Sequence, residues 1–179
     1  MAVARPLPDH LPMRALAACV GAAAIWGGGR LSLPMVPAPI TLQTLALVTA
    51  GGLLGPAAGA LTGAVFLAAV LAGAPVLSGG ASAPGLAFLE LGTAGFVLGF
   101  VPGGAVAGLA SGSWRRDAAL FLAAHGVVLV AGFTWLLTRT DLAPADAAGS
   151  LLALLPGAAL KSAVAASLVG ALLRLGGPR

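Results

Sequence analysis

Lys161 is the residue of greatest chemical consequence in this 179-residue chain. It interrupts an otherwise uncharged run from Ala147 to Leu173, with fourteen uncharged residues before it and twelve after. Glu90 stands equally alone, between the uncharged runs 31–89 and 91–114. A charge at the centre of a bilayer costs about 2.5–3.5 kcal/mol on insertion scales. An ammonium and a carboxylate kept in such runs therefore imply a shared pair or a polar cavity. A cavity of this kind suits recognition, because an ammonium donates up to three hydrogen bonds to acceptors on a small molecule. On a helix, Ala158, Lys161, Ser162 and Ala165 share a face, and alanines beside a lysine leave open volume next to its nitrogen. Thr41 and Gln43 add a hydroxyl and an amide. As i and i+2 of an extended segment they aim the same way; in a helix they would diverge. The competing readings are a Lys161 that snorkels toward an interface, a Glu90 that caps a helix start and a Gln43 that is ordinary loop polarity. Thr41, Gln43, Glu90 and Lys161 are the candidate ligand-binding residues.

Material for other chemistry is scarce. The chain has five carboxylates, two histidines, one cysteine and no tyrosine. One cysteine excludes a disulfide framework and a four-thiolate metal site, and His10 and His125 have no partners spaced for a metal. His125, in an apolar stretch, reads as hydrogen-bonded to a neighbour or close to the cytoplasmic interface. No serine has a histidine and carboxylate placed to activate it. Gly157-Ala-Ala-Leu-Lys-Ser162 resembles the end of a phosphate-binding loop but lacks the glycine before the lysine. The expectation is a protein that is no enzyme, with no catalytic residues, metal, cofactor or ATP-binding motif.

The elements that must position Lys161 follow from the composition. Hydrophobic residues make up 59% of the chain and charged residues 8%, against roughly 25% charged in soluble domains. That balance marks an all-α integral membrane protein. The net charge of +4 comes from dispersed basic residues with one adjacent pair, Arg115–Arg116, which is no nucleic-acid footprint. A spanning helix needs about 20 apolar residues, and the proline and glycine breaks at 34–39, 55–56 and 72–75 divide the long run. Six spans result, near 15–33, 41–54, 57–73, 86–110, 118–138 and 147–173. They form one membrane domain over residues 1–179, with tails 1–14 and 174–179. The uncharged stretch 76–85 is expected to fold back into protein, since lipid-exposed irregular backbone would leave polar groups unsatisfied. Six spans put Arg5, Arg14, Arg115, Arg116, Arg174 and Arg179 on one side, against Arg30 and Arg139 on the other. Both termini are then cytoplasmic by the excess of positive charge. The first span imitates a signal peptide at Ala22-Ala-Ala24 but continues into Ile25-Trp26, and is expected to be retained.

Small residues recur every four positions at Gly51/Gly55, Gly55/Gly59, Gly59/Gly63, Gly95/Gly99 and Gly104/Gly108, a spacing that lets helix backbones approach closely in lipid. These read as packing within the bundle. For the similar pair Ala18 and Ala22, contact with a partner subunit is the sharper reading beside ordinary packing.

The segment Val36-Pro-Ala-Pro-Ile-Thr-Leu-Gln-Thr44 resembles the signature of BioY proteins, the biotin-binding S components of energy-coupling-factor (ECF) transporters. In sequence order, Gly55-Pro56 with Gly59-Ala60, Gly73-Ala-Pro-Val-Leu77 with Gly79-Gly80, Gly95-Phe96, Gly99-Phe100, His125, Gly132-Phe-Thr-Trp135, and Pro156-Gly157 with Lys161 are similar to further blocks of that family. The resemblance implies a six-helix S-component bundle in the bacterial plasma membrane. Its biotin pocket would lie near the outer face, under the loops 34–43 and 74–85. It implies Thr93 as a further ligand-binding residue, and as partners an ECF transmembrane coupling subunit with ATPase subunits. Two departures stand out. The family's aspartate three residues before the lysine is Ala158 here. Its glycine–proline–threonine–glycine–glycine–tyrosine block reads Leu91-Gly-Thr-Ala-Gly-Phe96, so that only Thr93, Gly95 and the aromatic character at 96 carry over. On this reading Glu90 supplies the missing carboxylate and neutralises Lys161. The rival readings are an S component for another small vitamin, a bundle protein with no transport role and, last, a membrane enzyme.

Overall fold

A computed structural model describes residues 11–35 and 38–175. Arg5 and Arg179 of the charge asymmetry, His10, and Val36 and Pro37 of the signature segment lie outside the described residues. Among the described residues there are seven α-helices and two short strands: α1 (Leu11–Arg30), β1 (Ser32–Leu33), β2 (Ile40–Thr41), α2 (Gln43–Leu54), α3 (Pro56–Leu71), α4 (Ala94–Leu98), α5 (Phe100–Ala107), α6 (Trp114–Arg139) and α7 (Pro144–Leu175). Two 3-10 turns, Ser78–Gly80 and Gly85–Glu90, lie between α3 and α4. Gly99 keeps right-handed helical angles (φ −63°, ψ −15°), and the bonds Gly99 N–H to Gly95 O and Gly103 N–H to Gly99 O carry α4 into α5 as one rod.

The rods follow the expected order, with ends moved by local chemistry. Prolines at 34, 37 and 39 cannot sustain a helix. The chain after α1 instead forms an antiparallel pair, Ser32 opposite Thr41 and Leu33 opposite Ile40, so neither 31–33 nor Thr41 is helical. The expected fourth span began at residue 86, but Gly85 at φ +56° starts a 3-10 turn, and α4 begins only at Ala94. Pro56 sits at the first position of α3, where its missing N–H costs nothing. Helices α6 and α7 are long and apolar enough to cross a membrane; α2, α3 and the 94–107 rod are shorter.

The 72–93 segment closes on itself as its composition requires. Leu77 N–H donates to Ala81 O at 3.1 Å and Gly80 N–H to Leu77 O at 2.9 Å, while Leu77, Ala83 and Phe88 are buried. Gly79 and Gly80 take φ of +68° and +86°, which a side chain at either position would disfavour.

Glycines set how close the rods stand. A Cβ on Gly51 would lie 2.7 Å from Gly104 O, and one on Gly63 would lie 2.6 Å from Phe100 O. Gly59 and Gly104 face each other more tightly still, and Gly108 abuts Gly55 and Pro56. The four-residue glycine spacing is therefore packing of α2 and α3 against α5, and at Gly95 and Gly99 packing of the 94–107 rod against α6. Large residues fill two reciprocal notches: Trp135 rests against Gly95, and the Phe96 ring rests on Gly132.

Ala18 and Ala22 belong to the same kind of packing, which corrects the partner-subunit reading. Both are buried within the chain, at 0% and 8% exposure, on the helix that packs against α2 and α3. Gly21 beside them lies against Thr62 and Ala50. A side chain already covered by its own bundle offers no surface to a second subunit.

At the end of the bundle opposite the strand pair, buried Asp117 orders the turn before α6. Its carboxylate accepts from Ser111 N–H at 2.7 Å, Gly112 N–H at 2.8 Å and the Ser111 hydroxyl at 3.1 Å. A carboxylate in the first helical turn also meets the positive end of the helix dipole.

Candidate functional site

Three consecutive glycines, Gly27, Gly28 and Gly29, lie in the last turn of α1 before Arg30, and they let the signature segment lie directly on that helix. Leu42 N–H donates to Gly28 O at 3.1 Å, and a Cβ on Gly28 would stand 2.8 Å from Leu42 O. Gly29 leaves the space that the Gln43 amide fills. Gln43 is the first residue of α2 and is buried. Thr41 and Gln43 converge all the same, because the Thr41 hydroxyl accepts from Gln43 N–H at 3.3 Å and sits 3.4 Å from Gln43 Oε1. The amide's Nε2 donates to Val76 O at 3.4 Å, which ties the segment to the 72–81 loop.

Beneath this loop layer lies a cavity of about 320 Å³, near the lower end of the roughly 300–1,000 Å³ typical of small-molecule sites. Ile40, Leu77, Leu91, Phe96, Val97, Phe100, Val128, Leu129 and Leu154 supply its apolar wall. Thr41, Gln43, Thr44, Ser78, Thr93, His125 and Lys161 supply polar groups. Trp135 holds one side of the rim by donating its indole N–H to Leu91 O at 2.9 Å.

Lys161 lies seventeen residues along α7 from Pro144, a rise of about 25 Å. Its ammonium donates to Thr44 Oγ1 at 2.7 Å and to Thr41 O at 3.2 Å. That leaves one of its three hydrogens for the cavity. Ala158, one turn earlier, is buried and lines the same space. The irregular backbone at 38–42 reaches this depth because the lysine and the glycines of α1 satisfy and accommodate it. The 12-residue α2 is short for the same reason: its first turns are replaced by the segment that meets Lys161.

Four of the five candidate ligand residues, Thr41, Gln43, Thr93 and Lys161, line this one cavity. Glu90 does not, and the expected pairing with Lys161 is corrected. It is exposed at the end of the 3-10 turn and lies in a surface depression with Thr138, Arg139 and Asp141. The helix that would have turned it inward does not form until Ala94. Three further polar lining groups were not among the candidate ligand residues: Thr44, Ser78 and His125. The i, i+3 spacing of Thr41 and Thr44 gave a signal for the first. His125 is held inside the bundle by Phe121 O at 2.8 Å and the Ser162 hydroxyl at 3.1 Å, a placement set by a contact between two helices.

Comparisons with known proteins agree with this architecture. The BioY family model matches residues 6–177. A protein from Rhizobium etli named biotin transporter BioY is 36% identical over 160 residues, covering 83% of this chain and 84% of its own length. A Bacillus subtilis protein named probable biotin transporter BioY is 36% identical over 146 residues, covering 77% of this chain and 76% of its own. A crystal structure of the S-component for biotin from an ECF-type ABC transporter superposes with a TM-score of 0.82 at 25% identity, over 94% of this chain and 95% of that one. The mostly helical fold is that of an ECF S component, a membrane protein, and the chain belongs to the BioY family.

Proposed function

We propose that this chain is the biotin-binding membrane component of a vitamin importer. The observation that carries the reading is Lys161, a cation deep in an apolar bundle with a donor left for a small cavity beside it. Biotin suits that cavity: its ureido group offers one carbonyl and two N–H groups, its fused rings and chain need apolar wall, and its carboxylate accepts from a cation or water. The names of the relatives and the structural likeness support the same ligand. Transport, and not catalysis, is the function that a cavity of this kind in a BioY protein serves.

The proposed topology has six spans with both termini cytoplasmic, in a bacterial inner membrane. Arg30 stacks over Trp26 at 5.3 Å and Arg139 over Trp135 at 5.1 Å, both at the loop-layer end, where amphipathic rings and cations suit a membrane–water boundary. Trp114, Arg115 and Arg116 are exposed at the other end, the proposed cytoplasmic face. An ECF coupling subunit and ATPases are the proposed partners, because no nucleotide motif is present in the chain.

Binding of labelled biotin to the purified protein, and uptake by cells producing it with and without coupling subunits, tests the reading. Saturable binding displaced by unlabelled biotin is expected; its absence refutes the proposal. Glu90→Gln is expected to leave biotin affinity within about twofold, as for an exposed substitution away from the site. A clear loss in the same titration would return Glu90 to the binding site.

A further inference from the structure

His125 presents an acceptor that the packing of the chain does not use. It is 2% exposed, yet it lines the cavity with Lys161 and Ala158. Its Nδ1 lies 2.8 Å from Phe121 O. A carbonyl oxygen only accepts, so Nδ1 carries the hydrogen. The Ser162 hydroxyl donates to Ala158 O at 2.8 Å and turns a lone pair toward the same Nδ1–H at 3.1 Å. These bonds fix the tautomer, and the neutral ring keeps a bare lone pair on Nε2. That atom is buried and has no hydrogen-bond partner, a costly state for an acceptor.

The acceptors that the structure places directly on Lys161 are engaged, and the Ser78 and Thr93 hydroxyls complete the polar lining of the cavity. Thr41 O and Thr44 Oγ1 take its ammonium, and the Thr41 hydroxyl and the Gln43 amide are occupied with each other. Among the described residues no carboxylate lines the cavity. Ser162 follows Lys161 directly and touches His125, so donor and acceptor sit at one level of the contact between α6 and α7.

We propose that His125 Nε2 accepts a hydrogen bond from an N–H of the bound ligand, so that Lys161 and His125 together read the adjacent carbonyl and N–H of a cyclic urea. The assignment rests on the biotin reading for the identity of that urea. It makes the imidazole the specificity-determining acceptor in a site whose α7 carries alanine at 158.

The test is a cycle in which protein and ligand are both altered. Binding of biotin and of its two singly N-methylated ureido analogues is measured on the purified full chain, for wild type and for His125→Phe, which keeps a flat ring and removes the acceptor. Wild type is expected to prefer biotin to at least one methylated analogue by about 10-fold or more, and His125→Phe to weaken biotin about 5- to 30-fold while losing most of that preference. A smaller folded fraction lowers binding of every ligand alike and leaves the preference intact, so it does not imitate this result. Preference undiminished in His125→Phe overturns the assignment, as does a wild type that binds both methylated analogues as tightly as biotin, a result that needs no variant. A wild type that binds no biotin at all overturns the biotin reading and this assignment with it.

Discussion

Lys161→Ala is expected to weaken biotin binding by roughly 10- to 150-fold, the equivalent of about 1.5–3 kcal/mol for a hydrogen bond to a charged group. The expectation follows from where the nitrogen sits. Two of its hydrogens go to Thr44 Oγ1 and Thr41 O, so the third is oriented before any ligand arrives, and little ordering remains to be done on binding. The apo protein should respond differently. Removing the charge relieves a cost of about 2.5–3.5 kcal/mol, while losing the two bonds to the 41–44 segment costs a similar amount. Thermal unfolding of ligand-free Lys161→Ala in detergent should therefore stay close to wild type while equilibrium binding of labelled biotin collapses. Affinity within about twofold of wild type would remove Lys161 from the site, since that difference is below the worth of one ordinary hydrogen bond.

Gly59→Val is expected to cost at least the roughly 3 kcal/mol at the upper end of overpacking effects, and to prevent the folded protein from accumulating. A Cβ at position 59 would run into the backbone of Gly104 and also stand 2.9 Å from the Gly51 Cα. The obstacle is main chain, which cannot rotate aside as a side chain can. Three helices would have to separate, and in lipid their association depends on that close packing. Gly126→Ala is the matched control. Its Cβ meets nothing within 4 Å, and alanine is favoured over glycine in a helix by about 1 kcal/mol, so its melting temperature should equal or exceed that of wild type. Comparable yield and melting temperature for Gly59→Val would show that α2, α3 and α5 are not locked by backbone contact.

The order of the rods and the cavity at Lys161 were legible in one dimension. Buried backbone in an apolar medium must form helices, so uncharged runs and their proline or glycine breaks mark the rods almost directly. A lysine fourteen and twelve residues from the ends of its run needs polar company by energy alone. The residues that supply this company could not be found the same way. Thr44 Oγ1 is 117 positions away, and the carboxylate chosen from sequence, Glu90, was assigned to a helix that does not yet exist at that point in the chain.

Sequence by itself determined the helical membrane character, the close-packing spacing of the glycines, and the need for a cavity beside an ammonium on α7; which helices those glycines join was decided by the tertiary structure. Only the tertiary structure decided which way each group turns: Glu90 outward, Ala18 and Ala22 into their own bundle, and the Nδ1 edge of His125 onto Phe121 and Ser162. The reason lies in the solvent. A helix in water shows its inner face by where its apolar residues fall, but a helix meeting lipid outside and protein inside is apolar on both sides. Direction is then set by the shape of the neighbouring helix, and no single helix carries that information.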